Sequence, residues 1–172
     1  MSDGPATLRP TRTASKLADP MIISVVALGF TQIISWGTTL YALGVLGKPI
    51  AAETGWGSTY VFGGLTIGLL VSGFTSRWIG REIDKRGART IMSIGSILVA
   101  IGLAALAYVP NATLYLAVWA FLGLAMRMTL YDAAFAALVQ VTPSRGRSAI
   151  SYLTLFGGLA SSTFWPIGDI LN

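Results

Sequence analysis

Five long apolar stretches, separated by short polar breaks, organise the chain. Met21 to Leu46 holds 26 residues without a charge, and Gly55 to Ser76 and Thr90 to Met126 are also free of charge. Runs near or above the roughly 20 residues that cross a hydrocarbon core predict membrane spans at about 21–46, 58–78, 90–109, 112–141 and 148–171. Lipid offers no partner to an unpaired backbone group, and no ten-residue alternating pattern marks a barrel strand, so the spans are expected to be helices. The expected fold class is an all-α membrane protein with five transmembrane helices. Residues 1–20, rich in Ser, Thr, Pro and scattered charge, are expected to be a flexible tail. The first apolar run is well beyond the 7–15 residues of a signal-peptide core, so it reads as a span.

Composition supports a lipid solvent. The 172 residues are 53% hydrophobic and only 11% charged, against about 25% charged in water-soluble domains, and mean hydropathy is +0.68. The net charge of +5 is explained by topology rather than by nucleic acid. Arg9, Arg12 and Lys16 precede the first span, Arg77, Arg81, Lys85, Arg86 and Arg89 follow the second, and Arg145 and Arg147 follow the fourth; only Lys48 lies on the opposite side. Basic residues collect on the cytoplasmic side, which predicts a multi-pass protein of a cell (inner) membrane with a cytoplasmic N-terminus. Cys and His are absent, so no disulfide, thiol nucleophile, imidazole base or Cys/His metal site is expected.

The densest polar feature is the run Gly80, Arg81, Glu82, Ile83, Asp84, Lys85, Arg86, Gly87, Ala88, Arg89. It reads as a short polar hairpin between two spans. Gly80 would permit close approach at a crowded helix end, Gly87 would permit a left-handed turn, and Asp84 would bridge the surrounding basic groups or face the positive N-terminus of another helix. Within the spans, Gly64 and Gly68 have the small-xxx-small spacing that lets helices approach closely; this fits ordinary packing or a homodimer seam.

The pattern carried by Gly80, Asp84, Lys85, Gly87 and Arg89 resembles the loop between the second and third helices of the major facilitator superfamily of secondary transporters. The resemblance implies that residues 21–172 form part of the N-terminal six-helix bundle of that fold, five helices of six. It implies that Asp84 is a gating latch, shaped by Gly80 and Gly87 and framed by Lys85 and Arg89. Ala88 stands where the family often has a basic residue. Trp36, Gly37, Tyr41, Gly44, Val45, Pro49, Gly55 and Trp56 resemble the first-helix region of monocarboxylate and oxalate/formate-type carriers, which implies an organic anion. A basic residue linked to proton coupling in drug/proton antiporters would fall near Trp119, and its absence argues against that route. The family likeness also implies a missing C-terminal transporter half, this chain being an N-terminal fragment.

Arg127 and Asp132 lie inside the fourth span. Each would cost about 2.5–3.5 kcal/mol at a helix centre, so neither is expected to face lipid. Five residues of ideal helix place them about 140° apart, which favours Arg127 sharing a face with Tyr131 and Asp132 with Met128 over a direct pair. Arg127 is a candidate clamp for a substrate anion and Asp132 a candidate protonatable coupling or gating acid; both could instead belong to a structural ion network. Gln32, Trp36 and Thr39 form a polar and aromatic stripe on the first span. Gln32, Trp36, Arg127 and Tyr131 are the candidate substrate-binding residues, with an interhelical hydrogen bond as the alternative for Gln32. No Walker A run, dinucleotide fingerprint, metal cluster or activated nucleophile is present, so neither an enzyme nor a cofactor is expected. The sequence thus predicts a carrier of a small organic anion; a non-transporting membrane scaffold or a self-assembling small carrier are the alternatives.

Overall fold

The computed structural model describes residues 19–171, so the tail expected at 1–20 lies almost wholly outside the described residues. Among the described residues there are helices and turns and no strand. The five main helices are α1 (Pro20–Thr54), α2 (Ser58–Arg86), α3 (Ala88–Leu106), α4 (Ala112–Val141) and α5 (Gly146–Leu171). By length and composition α1 to α4 can each cross a membrane, and α5 runs for 26 residues.

Packing, rather than local propensity, sets several boundaries. α1 continues through Lys48 and Pro49 to Thr54, eight residues beyond the expected end, and stops at Gly55 with φ +70°. Its extension is held because Leu43, Ile50 and Ala51 pack with Val61, Tyr115 and Trp119, burying apolar area that outweighs the proline's lost hydrogen bond. The charged run is corrected more sharply. Residues 77–86 are the last turns of α2, not a hairpin loop. Ile79 and Ile83, four residues apart, are buried against Ile91, Met128 and Ala133. On the neighbouring face Glu82 accepts hydrogen bonds from Lys85 at 3.4 Å and Arg86 at 2.7 Å, the i+3 and i+4 spacing that supports a helix. The whole turn is Gly87, at φ +81° and ψ 144°, a conformation outside the left-handed helical region that only glycine adopts without strain.

α4 is the central helix. Its first half packs extensively on α2 and α3, while α1 packs mainly on α5. The α2–α4 contact is backbone on backbone: a Cβ placed on Gly123 would overlap the carbonyl oxygen of Gly68 and lie 2.8 Å from its Cα. Gly64 leaves room for the rings of Trp119 and Tyr115. The Gly64/Gly68 spacing is therefore used for packing within the chain. At the opposite end Asp19, the residue before α1, accepts two hydrogen bonds from Arg145, at 2.8 and 2.7 Å, and one from the Met21 N–H at 3.0 Å. This clasp joins the start of α1 to the α4–α5 turn.

Candidate functional site

α4 is not one continuous helix. It breaks at Leu130, whose ψ of −170° is extended, into halves Ala112–Thr129 and Tyr131–Val141. The Leu130 N–H still donates to the Met126 carbonyl at 2.9 Å, but the second half starts afresh, with the Ala133 and Ala134 N–H groups donating to the Leu130 carbonyl at 3.1 and 3.2 Å. In a membrane-length helix such a break leaves backbone groups that need partners. One is supplied by α1: Gln32, fully buried, donates from Nε2 to the Thr129 carbonyl at 2.9 Å. Trp36 donates from Nε1 to Gln32 Oε1 at 3.2 Å, so both ends of the amide are used.

The break also redirects the charges. Instead of lying 140° away, Asp132 Oδ2 accepts directly from Arg127 Nη1, while Arg127 Nη2 donates to Ser76 Oγ of α2 at 3.0 Å. Asp132 occupies the first turn of the second half-helix, where a carboxylate meets the positive end of the helix dipole. The arginine side chain is 23% exposed and the aspartate 62%, so the acid forms the outer member of the pair. Next to Asp132, the Tyr131 ring lies 5.1 Å from Trp36 on one side and stacks on Phe135 at 5.1 Å and 15° on the other. Gly157 of α5 leaves room for the Tyr131 hydroxyl; a Cβ there would fall on it.

The structure therefore brings Gln32, Trp36 and Tyr131 together around the break and places Arg127 and Asp132 in contact. Gln32 makes the interhelical hydrogen bond that was its alternative reading. Thr39 of the predicted stripe sits in a π turn, Gly37–Tyr41, and donates its hydroxyl to the Ser35 carbonyl. The candidates of the charged run form no hydrogen bond or ion pair with this group among the described residues. Asp84 is exposed on the last turns of α2 and joins no ion pair among the described residues; Glu82 does the bridging expected of it, holding Lys85. A Cβ on Gly80 would meet nothing within 4 Å, so the expected crowding is absent among the described residues. Gly87 makes the turn, and Arg89 is exposed on the first turn of α3.

Sequence reasoning missed Leu130, Ser76 and Phe135. The one local sign of the break is Thr129, whose hydroxyl bonds back to the Ala125 carbonyl at 3.2 Å, a habit that bends helices. Away from these residues a concavity of about 440 Å³ is lined by Thr38, Glu53, Trp56, Tyr115 and Trp119 among mostly apolar side chains. No protein-family model matches the chain, nor does any curated protein or solved structure.

Proposed function

We propose that this chain forms one side of a secondary carrier of the major facilitator type, moving a small organic anion across a cell membrane by alternating access. One observation carries the reading: an arginine–aspartate pair sits at a break in a membrane-length helix. Broken helices place free backbone ends and charge at membrane depth, an arrangement that suits solute and coupling-ion sites. The guanidinium presents a planar fork that matches a carboxylate. Asp132 competes with an incoming anion for that fork, and protonation of Asp132 removes the competitor, so that proton and anion enter together. In the carriers that the sequence resembles, the solute lies between two halves, and the N-terminus of this chain would lie in the cytoplasm.

In membranes carrying the intact carrier, Arg127→Ala abolishes uptake of organic anions at undiminished protein level, and Asp132→Asn removes the stimulation of uptake by an inward proton gradient. Loss of protein in step with loss of uptake would make Arg127 structural. The scaffold reading draws support from one fact, that both terminal nitrogens of Arg127 are already partnered within the chain. It predicts unstable Arg127 variants and no uptake by the native protein.

A further inference from the structure

The outer face of α2 carries a graded stripe that the proposed transport site does not use. At about 100° per residue, Leu70, Phe74, Arg77, Trp78, Arg81, Asp84 and Lys85 fall within roughly 120° of one another, opposite the buried Ile79 and Ile83. The stripe is open: Leu70 is 56%, Phe74 86% and Trp78 57% exposed, and Arg77 and Arg81 are exposed as well. From Ser58 to Arg77 the helix rises about 28 Å, close to the roughly 30 Å of a hydrocarbon core. Phe74 then lies among acyl chains, Trp78 at the interface, and Arg77 and Arg81 at headgroup depth, without assuming which leaflet this is. The two arginines are one turn apart, and neither joins an ion pair among the described residues. Lys85 and Arg86 differ from them, being engaged by Glu82. The acid of the stripe, Asp84, lies about 4.5 Å beyond Arg81 along the axis, on the water side.

We infer that Arg77 and Arg81 together hold the phosphodiester of one anionic phospholipid, with Trp78 at its glycerol level and its chains along Phe74 and Leu70. Two guanidinium groups spaced by one turn can donate to the non-ester oxygens of a single phosphate. An anionic lipid is favoured over a zwitterionic one because its headgroup brings no ammonium to compete for the phosphate or to be repelled by the arginines. The apolar stripe above the arginines selects a lipid over free phosphate.

The test uses the full chain purified in a mild detergent, with unfolding followed by tryptophan fluorescence as phosphatidylglycerol, phosphatidylethanolamine, phosphatidylcholine or inorganic phosphate is added. Phosphatidylglycerol alone raises the unfolding midpoint. The double change Arg77→Gln with Arg81→Gln weakens its apparent affinity about 30-fold, taking the contribution typical of two basic residues near an anionic surface. Lys85→Gln with Arg86→Gln leaves the affinity within threefold. Equal loss in both double variants would mean diffuse charge rather than a site, and an equal response to phosphatidylethanolamine, or to phosphate, would overturn the ligand class. Should the arginine variant fail to fold, the native chain still decides: brominated phosphatidylglycerol quenches fluorescence more than brominated phosphatidylcholine, and Trp78→Phe removes the difference. Equal quenching by the two lipids would refute the site.

Discussion

Replacing Gln32 with Met tests whether the break in α4 is held from α1. The change keeps the volume of the side chain and removes both of its polar atoms. Two hydrogen bonds are lost, the 2.9 Å bond to the buried Thr129 carbonyl and the 3.2 Å bond from the half-buried Trp36. Hydrogen bonds within membrane proteins contribute about 0.6 kcal/mol on average and up to about 1.7, so two of them are worth about 1–3 kcal/mol. Unfolding in mixed micelles titrated with a denaturing detergent, followed by tryptophan fluorescence, measures this. A cycle isolates one bond: Trp36→Phe costs about 0.6 kcal/mol less in the Gln32→Met background than in the native chain. If Gln32→Met is as stable as the native protein within about 0.3 kcal/mol, and Trp36→Phe costs the same in both backgrounds, the strap contributes nothing and the reasoning is wrong. Weaker solute affinity at unchanged stability would instead make Gln32 a solute ligand.

Two further changes probe the frame around the site. Gly123→Ala drives a methyl group into the Gly68 backbone, and because backbone cannot rotate away, it destabilises by about 1–3 kcal/mol; a cysteine pair introduced across α2 and α4 that crosslinks as readily with the Gly123→Ala change as without it would contradict the close approach. The Asp19–Arg145 clasp makes stability depend on acid. Hydrogen bonds from Arg145 hold the Asp19 carboxyl below its usual range, so its contribution is complete above the unfolded value near 3.9 and is lost as pH falls through the lowered folded value. The difference in unfolding midpoint between native chain and Asp19→Asn is therefore constant from pH 7 to about 5 and shrinks as the pH falls below the unfolded value near 3.9; a difference that does not change on acidification would show that the carboxylate is not the source.

The apolar runs were legible because membrane thickness imposes a length that composition cannot imitate, and the limits of α4, residues 112–141, follow from it. The end of α2 was not. Counting charges from Arg77 to Arg89 suggests a loop, yet the four-residue spacing of Ile79 and Ile83 and the pairing of Glu82 with Lys85 and Arg86 are helix signals within the same run. Leu130 was illegible for another reason. It is neither proline nor glycine, and the partner that accommodates its break, Gln32, is 97 residues from the carbonyl it meets, a distance over which local periodicity says nothing. The direct meeting of Arg127 and Asp132 follows from that break, since an ideal helix keeps them apart.

The single-residue joint at Gly87 has a mechanical consequence. The first N–H of α3, at Ala88, is held by Gln140 Oε1 near the end of α4 at 3.1 Å, and α3 lies against α4 along much of its length. With no slack at Gly87, the second half of α4 is linked to the start of α3 and, through one residue, to the end of α2. Three of the five rods are thus tied at one end, α2 to α3 through a single glycine and α3 to α4 through the Gln140 amide, with no loop between them to absorb a displacement.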